Sequence, residues 1–130
     1  MLLHINPHSG IPIYRQVMDQ IRYQILSGVI KESEQLPSVR DLSSQIKVNP
    51  MTVSKAYAFL EVEGLLDRKR GIGLFAARLT KSMKKTNSHI LVTDGLEKVA
   101  NDAVSLGLSK EQFTQIADDV FNDLETKNRK

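Results

Sequence analysis

A chain of 130 residues, 41% hydrophobic and 25% charged, has the size and balance of one compact domain or of a small domain with an appendage, which excludes global disorder and a fibre. With no cysteine, disulfides, thiolate nucleophiles and Cys-ligated zinc are excluded, and His4, His8 and His89 are too scattered to suggest a site, so no cofactor is implied. The net charge of +3 is unevenly spread: residues 64–86 hold seven cations (Arg68, Lys69, Arg70, Arg78, Lys81, Lys84, Lys85) against the single acid Asp67, which fits either a polyanion contact or a solvated basic linker.

Residues 12–27 have the pattern of an amphipathic helix, with Ile13, Val17, Ile21 and Ile25 recurring every fourth position. Pro12 suits its first turn and Gly28 its stop. The polar stretch Lys31–Gln35 connects it to Ser38, a helix cap followed three residues later by Asp41, and Val39, Leu42 and Ile46 give the second, short helix one apolar side. After a tight connection through Lys47-Val48, Asn49-Pro50 is a strong start signal for a third helix reaching Glu63, with Gly64 ending it. Val53, Ala56, Tyr57 and Leu60 form its core stripe; at ~100° per residue, Met51 and Lys55 lie nearly opposite, with Thr52 and Ser54 on the flanks. Residues 65–76 change period around Gly71-Ile72-Gly73, as a β-hairpin does. A short capped helix, a turn, a longer helix and a basic hairpin make a winged helix-turn-helix.

Residues 79–89 are polar and basic without periodicity, and 79–93 is expected to be a linker between a DNA-binding domain (1–78) and a two-helix segment (94–130). In that segment Leu96, Val99, Ala103 and Leu106 form one stripe, stopped by Gly107. Ser109 with Gln112 is a capping box, Leu108 with Phe113 fits a hydrophobic staple, and Phe113, Ile116, Val120, Phe121 and Leu124 make a wide apolar face. Two helices of this size cannot bury such faces against each other alone. A second copy of the chain is the simplest cover, and folding back on the Ile13–Ile25 stripe is the alternative. The fold class is thus mostly α with a small β-hairpin wing.

The outward residues near the start of the third helix, Met51, Ser54 and Lys55, are placed for the major groove of double-stranded DNA, with Asn49 and Thr52 beside them. Ser38 and Arg40 sit where a helix N-terminus can clamp a phosphate, Arg68, Lys69 and Arg70 would follow the backbone, and Gly71 would let the chain come close. Each has a plainer role: Ser38 and Asn49 as helix caps, Thr52 bonding its own helix start, Lys55 as a solvated lysine. A winged-helix protein-interaction or assembly module using the same basic hairpin is the alternative function. Asp118-Asp119 point ~100° apart on a helix and do not converge as an acid/base dyad, so an enzyme is not expected. No apolar run approaches the ~20 residues of a membrane helix. The start Met1-Leu2-Leu3-His4-Ile5-Asn6-Pro7 also lacks the basic and apolar parts of an export signal, so a cytoplasmic location without membrane contact is expected.

Three motifs carry a family resemblance: Ser9-Gly10-Ile11-Pro12-Ile13-Tyr14-Arg15-Gln16-Val17, Leu36-Pro37-Ser38-Val39-Arg40-Asp41-Leu42 and Val48-Asn49-Pro50-Met51-Thr52-Val53-Ser54-Lys55-Ala56-Tyr57. With Leu60-Glu61-Val62-Glu63-Gly64-Leu65 and Arg70-Gly71-Ile72-Gly73-Leu74-Phe75, they make the chain resemble the GntR family of bacterial transcription regulators, in its small YtrA-like branch. The resemblance implies a homodimer on a palindromic operator, with Arg40, Thr52 and the Arg70-Gly71 pair as DNA contacts, and associates the branch with transporter operons. Pro50 and Ser54 replace arginines common in other branches, so base specificity does not transfer. Ser33 stands where the family often has glycine, and Leu74 where a small hydroxyl residue is common. Only about forty residues follow the expected linker, too few for the effector or aminotransferase-like domain of other branches. A small-molecule effector between the C-terminal helices of a dimer stays open as a partner, with no polar cluster marking its pocket.

Overall fold

The computed structural model describes residues 1–129. Among them the chain forms five helices and one antiparallel hairpin: α1 (Ile13–Leu26), α2 (Val39–Ile46), α3 (Pro50–Val62), β1 (Leu66–Lys69), β2 (Gly73–Ala76), α4 (Lys81–Ser105) and α5 (Lys110–Asn128). It divides into two compact units, one of residues 1–91 and one of the described residues from 92 onward, the boundary falling within α4.

In the first unit the apolar stripes identified by period meet. Val17, Ile21 and Ile25 of α1, Leu42 of α2, and Val53, Ala56, Tyr57 and Leu60 of α3 are buried with Leu65, Leu66, Leu74 and Ala76 of the hairpin region. The Tyr57 hydroxyl donates to the Pro37 carbonyl (2.8 Å), tying α3 to the entry of α2, and burial pushes this phenol's pKa up, so it stays neutral. Both helices of the helix-turn-helix are capped at their N-termini: Ser38 Oγ accepts from the Asp41 N–H (3.0 Å) and Asn49 Oδ1 from the Met51 N–H (2.8 Å). Lys47 makes the bend between them in the left-handed region, at φ 56°.

The hairpin pairs Leu66 with Ala76, Asp67 with Phe75, Arg68 with Leu74 and Lys69 with Gly73. The segment read as a polar connection extends it. The Ser33 N–H donates to Ala76, the Ala76 N–H to Glu34, and the Leu36 N–H to Leu74, so β2 is paired on both edges. Ser33 adopts φ 64°, the left-handed conformation for which the resemblance places glycine. Leu74, the other departure, is buried in the core, where its apolar side chain packs.

Two features differ from expectation. The stretch expected as a linker, 79–93, is helical from Lys81 onward. The Thr80 hydroxyl accepts from the Met83 N–H (3.1 Å) and the Thr80 carbonyl from the Lys84 N–H, which starts α4. Leu79 is buried, and Met83 packs on the core, its Cε meeting the space above Gly64. Polar composition hid a helix that needs only one apolar contact per turn. The N-terminal segment, for which no structure was expected, lies along α1. Gln16 bonds the backbone of Asn6 through both side-chain atoms, Gln20 does the same with His4, and Gln24 donates to Leu2.

The second unit holds the rest of α4 and α5. Gly107, at φ 79°, turns the chain between them, and the Ser109–Gln112 capping box forms in both directions. Leu106 lies one residue beyond α4, in the turn rather than on the helix. Ala103 is buried and Phe113 half-buried, whereas Leu96, Val99, Leu106, Ile116, Val120, Phe121 and Leu124 are exposed.

Candidate nucleic-acid interface

The exposed side of α3 divides by helical geometry into rows that lean different ways. Ser54, Ala58 and Glu61, spaced i, i+4, i+7, face the hairpin; Lys55 and Phe59 form the neighbouring row, toward α1. The Lys55 ammonium sits 4.0 Å from the centroid of the Tyr14 ring, and Tyr14 stacks on Phe59 with ring centroids 5.7 Å apart. Lys55 is therefore held by an aromatic face. Met51, at the tip of α3, is 79% exposed and free of such a hold. Thr52 is half-buried.

Between the rows and the wing is a cleft of about 270 Å³, lined by Gln35, Leu36, Pro37, Ser38, Val39, Ser54, Tyr57, Ala58, Arg68, Ile72, Gly73 and Leu74. It brings together three of the residues singled out in the sequence, one each from the N-cap of α2 (Ser38), α3 (Ser54) and the wing (Arg68). Arg40 is exposed on the first turn of α2. Ser38 and Asn49 act as caps, so one oxygen of each is already committed to a backbone N–H.

The three consecutive cations of the hairpin do not form one basic patch, because side chains in a strand alternate faces. Arg68, across from Leu74, turns toward α3 and binds Glu61 with two parallel bonds, Nε to Oε2 at 3.1 Å and Nη2 to Oε1 at 3.0 Å. That hydrogen bonding, and then the carboxylate charge, holds the guanidinium even further into its protonated form. Lys69 is on the opposite face, its ammonium 4.4 Å from the Phe75 ring centroid. Arg70 is exposed in the turn with Gly71, which has φ 78° and open space where a side chain would be.

Three contributors escaped the sequence reading. Gln35 braces the wing, its Nε2 donating to the Ile72 carbonyl (3.1 Å); a Cβ on Gly73 would come within 2.9 Å of that nitrogen. Glu61 orients Arg68, and Tyr14 orients Lys55. Gln35 and Tyr14 act through contacts distant in sequence. The opposite charges of Glu61 and Arg68, seven residues apart across a predicted helix end, were the one available hint.

The chain is similar to known regulators across most of its length. Residues 13–75 match the family described as bacterial regulatory proteins, gntR family. The HTH-type transcriptional repressor YtrA of Bacillus subtilis is 32% identical over 123 residues, 95% of each chain. A crystal structure described as a transcriptional antiterminator from Listeria monocytogenes superposes with a TM-score of 0.73 at 34% identity, covering 95% of this chain and 92% of that one. The AraR DNA-binding domain, solved in complex with operator ORX1, is 34% identical over 58% of this chain and 93% of its own, with a TM-score of 0.52. These relatives are transcription regulators rather than enzymes. A winged helix with these caps, this cleft and these relatives makes the chain a member of the gntR family, a DNA-binding transcriptional regulator of the YtrA-like kind.

Proposed function

We propose that the chain is a homodimeric repressor that occupies a palindromic operator, with Met51, Ser54 and Lys55 entering the major groove and Arg70-Gly71 at the adjacent minor groove. The observation that carries this reading is the cleft: it seats the wing beside the recognition helix, bringing Ser38, Ser54 and Arg68 together and leaving Arg40 and Arg70 exposed for a phosphate backbone. The relative named a repressor and the AraR complex with its operator support it. Two copies would present their recognition helices to half-sites about 10–10.5 bp apart, one helical turn. The exposed apolar faces of α4 and α5 support pairing of two chains. A cytoplasmic location follows from the same function, and among the described residues no helix is long and apolar enough to cross a membrane.

Protection mapping of the promoter DNA beside this protein's own gene tests the reading, with a gel-shift series at several salt concentrations. A protected pair of half-sites is expected, with affinity falling steeply as salt rises. Arg40→Ala should weaken binding to every sequence, whereas Met51→Ala and Lys55→Ala should change preference among operators. Absence of a salt-sensitive shift together with unchanged retention on heparin would replace this reading with that of a protein-interaction module. Transcript changes on deletion of the gene test whether a transporter operon is among the targets.

A further inference from the structure

We propose that the Glu61–Arg68 pair is a strut that sets the angle of the wing against the recognition helix, so that Arg68 serves DNA binding as a positioning residue and not as a phosphate contact. This rests on the DNA-binding reading above. The hairpin is short, four residues in each strand, and departs from the end of α3 through the turn at Gly64. A lever of that kind needs a second attachment if its tip is to hold a fixed place relative to Met51 and Lys55.

Arg68 supplies it. The strand alternation that carries Lys69 outward turns Arg68 inward, on the face that also buries Leu66 and Leu74. Glu61 comes to meet it from the row of α3 that faces the wing. Side-on pairing through Nε and Nη2 fixes direction as well as distance, which a lysine's single rotatable ammonium would not. Gln35 holds the tip from the other edge of β2 through the Ile72 carbonyl. Arg70, in the turn between the strands, has no such tie in its position and is left to meet the duplex. The Arg68 guanidinium is more than half exposed, and exposed pairs contribute little to folding, so its partners can be changed without loss of the fold.

The experiment measures operator affinity against salt for the full chain and for Glu61→Ala, Arg68→Ala, the double alanine variant, the swap Glu61→Arg/Arg68→Glu, and Arg70→Ala. Removing an acid beside a polyanion should by charge alone strengthen binding. The strut requires the reverse: Glu61→Ala and Arg68→Ala each weaken binding roughly threefold to tenfold, and the double variant is no weaker than either. The swap recovers most of the loss, because a reversed pair spans the same gap. The salt slope of Arg68→Ala stays that of the wild type, whereas Arg70→Ala reduces it by about one unit, as loss of one phosphate contact does.

Tighter binding by Glu61→Ala, or a salt slope lowered by Arg68→Ala as much as by Arg70→Ala, overturns the strut. Failure of the wild-type chain to bind DNA falls instead on the regulator reading. Hydrogen exchange on the free protein then decides: Glu61→Ala should speed exchange of the Asp67 and Phe75 amides, which face each other across the hairpin, and unchanged rates there overturn the proposal.

Discussion

Ser33 and Lys47 carry side chains at φ 64° and φ 56°, where an L-residue's Cβ crowds its own backbone. That conformation costs about 1–2 kcal/mol, while glycine in the same place pays back about 0.4–1 kcal/mol through a more disordered unfolded chain. Ser33→Gly and Lys47→Gly should therefore each stabilise the fold by about 0.5–1 kcal/mol, seen as a higher urea midpoint with unchanged slope. Tyr57→Phe should do the opposite. It leaves the Pro37 carbonyl without the 2.8 Å bond from the Tyr57 hydroxyl and should lower stability by about 1 kcal/mol in the same measurement. At this scale the sequence was most legible where the physics is local. Ser38, Asn49 and Ser109 cap the helices expected of them, because a cap bonds an N–H two or three residues away. The holds on Lys55 and Arg68 were not legible, since Tyr14 and Glu61 reach them only after α1, α3 and the hairpin have packed.

Among the elements, the N-terminal segment shows how a run without periodicity can still be ordered. Residues four apart on a helix advance ~6.0 Å along its axis, close to the ~6.6 Å covered by two residues of extended chain. Gln16, Gln20 and Gln24 thus fall in step with Asn6, His4 and Leu2, each amide reading the backbone rather than a side chain. Gln16, nearly buried, also donates to Ser9 Oγ and the Ile11 carbonyl. Gln16→Ala removes these bonds and strands buried polar groups, so it should cost about 1–3 kcal/mol and release the Asn6 amide to fast hydrogen exchange, while exchange in α3 is unaffected. Hydrophobic pattern cannot disclose an element held by backbone bonds, and the same blindness hid the start of α4 behind its lysines. Where one face is truly apolar, as in α1 and α3, spacing together with the start and stop signals at Pro12, Gly28, Asn49-Pro50 and Gly64 placed the helix to within about a residue.

At the scale of the whole molecule, the apolar face of α5 was legible from its i, i+3, i+4 repeat, but what covers it was not, because a periodicity names a buried face and not its partner. Val120, Phe121 and Leu124 remain 52%, 66% and 52% exposed within a single chain. An apolar patch of that kind marks an interaction surface, and self-pairing about a two-fold axis would match the symmetry of a palindromic operator. Two linked winged helices bind cooperatively, since the first half-site raises the effective concentration of the second; that linkage contributes about 10²–10⁴ in affinity without any new DNA contact. Phe121→Glu places a charge at the centre of the face while leaving the first unit's core untouched. If two chains pair as proposed, the wild type should sediment as a pair and the variant as a single chain at the same concentration, and the thermal midpoint should depend on protein concentration for the wild type alone. Operator affinity should fall by a similar factor of about 10²–10⁴, while binding to one isolated half-site stays the same. Equal loss on the whole operator and on the half-site would mean that the charge had disturbed the recognition unit instead, and an unchanged sedimentation profile would remove α5 from the pairing surface.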